Sequence, residues 1–256
     1  MELIDFGRTG FRVPRLSIGT GTHGVHRSSE QTKLGIDGLA DLLVQAADLG
    51  VTFWDTADQY GSHPHVAAAL RRVRRDRITL ATKTHALNAR EAGEDVDRFL
   101  KELGTDVLDI VLLHGLNHRN WPKKYEDAME GLAQAKEQGK VRSVGFSCHG
   151  LGALQSAVSV PWVDVILVRI NYAGVNMDGT PSEVEPVLAD LYAAGKAIYA
   201  MKVLGCGPLT HDVRRAIEYV LGLGTVHAMT IGMSHLSHVQ QAASLLEELA
   251  PQYAMC

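Results

Sequence analysis

The chain is poor in the features that mark secreted, membrane-spanning and nucleic-acid-binding proteins. It has three cysteines in 256 residues, which fits a reduced protein better than a disulfide framework. It contains no run of about 18 apolar residues that would span a bilayer and no apolar N-terminal stretch of signal type. The formal net charge is only −4, which argues against nucleic acid as the main partner. We therefore expect a cytoplasmic protein with neither a membrane nor a nucleic-acid partner.

Strand-like and helix-like segments alternate along the chain, as is typical of parallel α/β folds. We predict strands at 16–18, 51–54, 78–82, 107–113, 141–146, 163–170, 197–201 and 228–231. A helix is predicted after each strand, at 37–49, 65–74, 93–103, 123–138, 151–158, 183–194, 211–221 and 236–249. These units, in a chain of about 250 residues, predict one α/β domain over 1–256: a closed (β/α)8 TIM barrel with its active site at the carboxyl ends of the strands.

Residues with acid–base chemistry stand where three successive predicted strands end. Asp55, Lys83 and His114 each close or follow one of these strands, and Tyr60 lies in the loop after Asp55. An acid and a phenol at the mouth of one strand suit proton transfer. A phenol is an effective donor, however, only when its pKa is brought toward the working pH.

These residues and their neighbours resemble the catalytic tetrad of the aldo-keto reductases. The matching phrases are Asp-Thr-Ala-x-x-Tyr-Gly at 55–61, Thr-Lys-Thr at 82–84 and Leu-Leu-His-Gly at 112–115. The resemblance extends from Gly7 to about Leu249. It implies an oxidoreductase that moves a hydride between NADP or NAD and the carbonyl of an aldehyde or ketone, in either direction. It also implies that a hairpin predicted over residues 2–14 plugs the bottom of the barrel.

In such a reaction each member of the tetrad has a distinct role. Tyr60 is the candidate general acid and base, and a nearby Lys83 ammonium favours the phenolate and so lowers the pKa of the phenol. Asp55 is expected to hold Lys83 through an ion pair. His114 is expected to donate a hydrogen bond to the substrate oxygen and orient the small-molecule carbonyl substrate.

The resemblance also assigns contacts to the cofactor. The first barrel loop carries G-x-G-x-x-G at 19–24, but no helix follows at once as a Rossmann motif requires. We interpret these glycines as positions where the backbone approaches a cofactor closely. The candidate contacts are Gly19, Thr20, Gly21, Ser147, Asn171, Met201, Lys202, Leu204, Gly205, Gly232 and Ser234.

Three features depart from the family pattern. After the seventh strand, where relatives commonly stack an aromatic ring on the nicotinamide, the chain has Met201-Lys202-Val203-Leu204-Gly205 and no aromatic residue. No lysine or arginine follows Arg215, so the basic residues with which many relatives bind the 2′-phosphate of NADP are missing. Their absence weakens the preference for NADP and favours NAD. The chain stops at Cys256, before the long C-terminal loop of many relatives, which leaves open a homo-oligomer whose second subunit completes the substrate pocket.

Two other functions stay open at this point. A non-enzymatic nucleotide-binding or regulatory barrel would account for the missing aromatic ring and the missing phosphate grip, because fold does not fix function. A metal-dependent hydrolase is a further alternative, since many of the 12 histidines fall near the predicted rim and His63-Pro64-His65 has ligand-like spacing. Our primary prediction includes no metal.

Overall fold

The computed structural model describes residues 1–253 and contains a closed barrel of parallel strands. The strands are β1 (Leu3–Asp5), β2 (Arg12–Pro14), β3 (Leu16–Gly19), β4 (Phe53–Asp55), β5 (Thr79–Thr84), β6 (Leu108–Leu116), β7 (Val141–Cys148), β8 (Val165–Arg169), β9 (Ala197–Met201) and β10 (Ala228–Gly232). Strands β1 and β2 pair as an antiparallel hairpin, and the others close in the order β10-β3-β4-β5-β6-β7-β8-β9. The predicted (β/α)8 barrel is confirmed.

Helices follow the barrel strands along the chain. They are α1 (Gly35–Asp48), α2 (His63–Leu70), α3 (Ala89–Leu103), α4 (Trp121–Lys124), α5 (Glu126–Glu137), α6 (Leu151–Ala157), α7 (Pro181–Ala193), α8 (Val213–Gly222) and α9 (Leu236–Leu249). Within residues 1–253, none of these helices has both the length and the apolar character needed to cross a bilayer.

Helix α3 shows how local sequence sets these elements. The side chain of Asn88 accepts a hydrogen bond from the backbone N–H of Glu91 and so caps the first turn. Gly104 ends the helix in the left-handed conformation, with φ 66°, which a glycine adopts at little cost. The buried positions between them recur every three or four residues and form one apolar stripe: Ala92, Val96, Phe99 and Leu103.

Several boundaries differ from the prediction. His114 lies inside β6 rather than at its end, because a register shift between Leu113 and Leu116 lets the strand continue past it. The helix predicted over 123–138 is two helices, α4 and α5, which meet at Tyr125. The helix predicted over 65–74 begins at His63 and already ends at Leu70.

The N-terminal hairpin closes the lower end of the barrel, as predicted. Its connecting turn places the fully buried ring of Phe6 against rings that point into the barrel. The ring centroid of Phe6 lies 5.6 Å from that of Phe53 and 6.1 Å from that of Tyr199, both edge-to-face. This apolar plug fills the interior below the polar residues at the carboxyl ends of the strands.

Close strand contact makes Gly145 in β7 a sensitive position. A Cβ atom there would lie 1.8 Å from the carbonyl oxygen of Val165 on β8, and backbone cannot give way as a flexible side chain can. We expect Gly145→Ala to reduce the free energy of unfolding by about 3 kcal/mol or more, as severe overpacking does. Chemical denaturation measures this loss.

Gly93 in α3 provides the matched control, because nothing lies within 4 Å of a Cβ added there. Gly93→Ala should instead stabilise the protein by roughly 0.5–1 kcal/mol through helix propensity. A Gly145→Ala variant as stable as the wild type would show that the β7–β8 contact is looser than described.

Candidate active site

Asp55 and Lys83 form a buried ion pair at the carboxyl ends of β4 and β5. The ammonium of Lys83, which is 0% exposed, donates to Asp55 Oδ1 at 2.7 Å and to the carbonyl oxygen of Thr56 at 2.8 Å. The other oxygen of Asp55 accepts a hydrogen bond from the hydroxyl of Tyr199 at 2.9 Å. Both charges are removed from water, and the extra hydrogen bonds provide the geometry that a buried pair needs.

Tyr199 is a site residue that the sequence analysis missed. It belongs to the apolar strand β9, where a tyrosine is usually a packing residue, so no local pattern marked it. Its ring packs against Phe53 with centroids 5.2 Å apart, while its hydroxyl reaches Asp55. Burial and the neighbouring Asp55 raise the pKa of Tyr199 well above its usual value, so the hydroxyl keeps its proton and donates it.

Tyr60 approaches the ion pair from the loop after β4, with Lys83 Nζ 5.0 Å from the centroid of its ring. The ring rests on two glycines of the first barrel loop. An added Cβ would lie 2.2 Å from Tyr60 Cε2 at Gly21 and 2.4 Å from Tyr60 Cδ1 at Gly24. The glycine pattern at 19–24, predicted to admit a cofactor, therefore also makes room for the phenol.

The pKa of Tyr60 does not follow the prediction. Burial raises it above the usual value; the attraction of Lys83 opposes this rise but does not overcome it. For Lys83, burial alone would lower the pKa, but Asp55 and Tyr60 outweigh burial and the pKa is raised. At neutral pH the site therefore holds a neutral phenol beside a lysine ammonium.

His114 is the fourth residue of the predicted tetrad, and it lies next to Tyr60. Its ring lies 5.6 Å from that of Tyr60, edge-to-face, and stacks on His85 at 4.6 Å. Burial lowers the pKa of His114 well below its usual value, and the charges of Lys83, His85 and His149 act in the same direction. The imidazole is therefore neutral, and it offers one N–H donor near the phenol.

Arg169, at the end of β8, is a second rim residue that the sequence analysis missed. Its guanidinium pairs with Asp178 at 3.0 Å and donates to Nδ1 of His149 at 2.8 Å. Because an arginine can only donate, Nδ1 must accept and the proton of the neutral His149 is on Nε2. Burial first, and the charge of Arg169 next, lower the pKa of His149 to about 4.

A cleft of about 590 Å³ opens beside Tyr60 and Asp55 and runs along the ends of β3, β9 and β10. Among the described residues that line it, Lys202 is the only lysine or arginine. Its Nζ lies 2.9 Å from Cys206 Sγ. Seven of the eleven predicted cofactor contacts line this cleft: Gly19, Gly21, Met201, Lys202, Leu204, Gly232 and Ser234.

The other four predicted contacts do not line the cleft, and each has a structural role. Asn171 uses its whole amide in its own loop: Nδ2 donates to the carbonyls of Val175 and Lys202, and Oδ1 accepts from two backbone N–H groups. Thr20 is buried and donates to the carbonyl oxygen of Asp55. Ser147 accepts from the N–H of Gly115, and Gly205 packs on Val175.

Residues 1–253 contain one cluster of side chains that could hold a metal ion, as the metal-hydrolase alternative requires. It consists of Asp58, His63 and Glu102. Arg98 already donates to both carboxylates, at 2.8 Å to Asp58 and 3.1 Å to Glu102. His63 uses both ring nitrogens, one toward Glu102 at 2.7 Å and one toward Thr82 at 2.9 Å. The guanidinium neutralises this cluster, so it is a salt-bridge network rather than a set of free ligands.

Comparison with known proteins agrees with this geometry. Residues 15–255 match the model of the aldo/keto reductase family. The chain is 30% identical over 182 residues to the Schizosaccharomyces pombe aldo-keto reductase yakc, whose name specifies NADP(+), covering 63% of this chain and 50% of that protein. It is 24% identical over 293 residues to L-galactose dehydrogenase of Arabidopsis thaliana, a match that covers 97% of this chain and 89% of that protein.

Solved structures show the same barrel. A Pseudomonas aeruginosa protein assigned to the aldo-keto reductases matches with a TM-score of 0.80 at 25% identity, covering 98% of this chain and 95% of that one. An aldo-keto reductase from Bacillus halodurans matches in fold with a TM-score of 0.81 at 19% identity, covering 96% of this chain and 91% of that one.

This chain belongs to the aldo/keto reductase family, and the predicted resemblance is confirmed. It spans about half the length of two of the curated relatives that it matches, 50% of the Schizosaccharomyces pombe protein and 47% of the Bacillus subtilis aldo-keto reductase YhdN.

Gly24 allows a test of how the phenol is held, because it contacts the Tyr60 ring and is not among the residues that line the cleft. We expect Gly24→Ala to displace the ring and lower turnover about 10²-fold, the usual cost of misplacing a reacting group by about 1 Å. Cofactor affinity should change little. Steady-state kinetics and a cofactor titration measure the two quantities.

Gly38→Ala serves as the control, since a Cβ there would meet only Leu34 Cβ at 3.4 Å, on the surface of α1. It should leave turnover unchanged. Full turnover by Gly24→Ala would mean that the glycine does not fix the phenol.

Proposed function

We propose that this protein is an NAD(P)-dependent oxidoreductase that reduces the carbonyl of an aldehyde or ketone, or runs the reverse reaction. The observation that carries the proposal is the protonated Tyr60 phenol, which lies beside the buried Lys83–Asp55 pair and faces the cleft. Family membership supports it, as do relatives that are named as a reductase and as a dehydrogenase.

The donor set of the cleft fits a dinucleotide. Lys202 supplies a cation suited to a diphosphate. Thr230 also lines the cleft, and its buried hydroxyl has no hydrogen-bond partner within residues 1–253. At Gly232 an added Cβ would lie 1.9 Å from Thr22 Oγ1, so the cleft wall is shaped by the absence of a side chain. The nicotinamide, when bound, supplies the hydride.

The residues of the chain supply the proton and the orientation. Tyr60 gives its phenolic proton to the substrate oxygen as negative charge develops there, and Lys83 stabilises the phenolate that remains. His114, neutral and near Tyr60, donates its N–H to the same oxygen. Asp55 keeps Lys83 in place and is itself held by Tyr199.

The protonation state of the site favours reduction at neutral pH. Burial keeps the pKa of Tyr60 above its usual value, so the acid form predominates. Alcohol oxidation requires the phenolate as a base, and it should therefore become faster as the pH rises toward that pKa.

The charges along the cleft support NAD(H) rather than NADP(H) as the preferred cofactor within this proposal. The described residues that line the cleft include Ser234 and the carboxylate of Glu30, and no lysine or arginine besides Lys202. The Lys33 ammonium, 2.8 Å from Glu30, lowers the pKa of that carboxyl and keeps it ionised. With Lys202 assigned to the diphosphate, no other lysine or arginine among the described lining residues remains to contact a 2′-phosphate.

Tyr60→Phe tests the assignment of the acid. We expect carbonyl reduction to fall by about 10²–10⁴-fold, the contribution of a positioned proton donor, while NADH affinity stays within twofold of wild type. The measurements are initial rates on a panel of aldehydes and ketones, and nicotinamide fluorescence titrations.

Tyr125→Phe, at the junction of α4 and α5, is the matched control and should keep wild-type rates. Full activity in Tyr60→Phe would remove Tyr60 as the acid. NADH binding without turnover of any carbonyl by the wild type would favour the regulatory barrel instead.

His235→Arg tests the cofactor preference, because His235 lines the cleft beside Ser234. We expect wild type to bind NADH more tightly than NADPH, and the added guanidinium to raise NADPH affinity about tenfold. The exposed His118→Arg is the control and should leave both affinities unchanged. Wild type binding NADPH tenfold more tightly than NADH would contradict the preference.

A further inference from the structure

Three basic residues occupy the same position at the lower end of three adjacent strands. Arg15 immediately precedes β3, His227 precedes β10 and Lys196 precedes β9, and β10 pairs with both of the other strands. All three are buried, with exposures of 8%, 5% and 9% respectively. They lie at the end of the barrel opposite Tyr60, so they take no part in the proposed reaction.

Arg15 is a buried cation that forms no ion pair with any of residues 1–253. Among the described residues its guanidinium has no hydrogen bond and no ion pair, and the groups that favour its charged form from a longer distance are Glu2 and Tyr192. Burial lowers the pKa of Arg15, since desolvation disfavours the charged form. An arginine stays charged at any physiological pH, so this charge is compensated only at longer range, chiefly by Glu2.

The three residues line a cavity of about 570 Å³ whose other charged residues are Glu2, Asp5, Arg8 and Arg12. Arg12 lies 3.7 Å from Asp5, so Glu2 is the one remaining acid among the described lining residues, against Arg8, Arg15 and Lys196. Asp164, outside the lining, also attracts Lys196. An added Cβ at Gly195 would lie 2.2 Å from Arg8 Nε, so that glycine lets the Arg8 side chain lie across the backbone.

Lys196 and His227 also keep defined hydrogen bonds. The ammonium of Lys196 donates to the carbonyls of Val160 and Val163 at 2.9 and 2.8 Å, which accounts for two of its three donors. The Nδ1 atom of His227 accepts from the N–H of Ile198 at 3.1 Å, which places the proton of the neutral ring on Nε2. The cavity wall therefore presents donors from three strand ends.

We propose that this cavity is a second ligand site, which binds a phosphate group through Arg15, Arg8 and Lys196. The planar fork of Arg15 matches two phosphate oxygens, and the combined charge of three cations against one free acid suits a dianion better than a carboxylate. The source is inorganic phosphate or the phosphate of a small phosphomonoester. Because the bottom face of such barrels serves stability rather than chemistry, binding raises the melting temperature and leaves turnover unchanged.

The test is a calorimetric titration of the whole chain with inorganic phosphate in chloride buffer. Two variants separate this cavity from the cofactor cleft, where Lys202 is the cation available to phosphate. Lys202→Gln should bind phosphate as the wild type does, whereas Arg15→Gln should raise the Kd at least tenfold. Without phosphate, Arg15→Gln should melt no lower than wild type, since it removes an unpaired buried charge.

Arg8→Gln provides a second variant whose exposed position does not endanger folding. It should weaken phosphate binding severalfold. Tighter binding of glycerol 2-phosphate than of inorganic phosphate would identify a phosphomonoester as the ligand class, and equal or weaker binding would identify free phosphate. No binding by the wild type, or binding lost in Lys202→Gln and retained in Arg15→Gln, would overturn the proposal.

Discussion

The buried ion pair between Lys83 and Asp55 is the interaction on which the rest of the site depends. A lysine with no exposed surface keeps its charge only because a carboxylate and a backbone carbonyl accept its hydrogen bonds. The carboxylate in turn is satisfied on its second oxygen by Tyr199, which reaches across the barrel from β9. Three separate strands must therefore close into one barrel before this charge can be buried at all.

Two opposing effects then set the proton on Tyr60. Burial favours the neutral phenol, and the ammonium of Lys83 favours the phenolate, with burial the larger effect. As a result, the Tyr60 phenol keeps its proton at neutral pH, and the Lys83 ammonium lies close enough to stabilise the phenolate. The glycines beneath the ring matter for the same reason, because the phenol must lie close to Lys83 for the cation to act.

The two ends of the barrel treat buried cations differently. At the carboxyl end Lys83 has its own carboxylate, and Arg169 has Asp178. At the lower end Arg15 has no such partner in the described part of the chain, although it is almost as deeply buried. At the carboxyl end the buried charges are balanced by ion pairs within the protein, which suits chemistry on a neutral group. At the lower end the charge of Arg15 is not balanced by an ion pair with a described residue, which suits the binding of an external anion.

The sequence by itself determined the barrel, through its alternating segments, and the common rim of Asp55, Tyr60, Lys83 and His114, through their positions at or after strand ends. The plugging role of the hairpin came from the family resemblance. Only the tertiary structure decided which neighbours act on them. Tyr199 and Arg15 reach their surroundings across the barrel or at its lower edge, where no local pattern operates. Asn171 was predicted from the sequence to contact the cofactor, yet its side-chain amide makes four hydrogen bonds to nearby backbone groups. The sign of the Tyr60 pKa shift was likewise beyond the sequence, since it depends on how deeply folding buries the phenol.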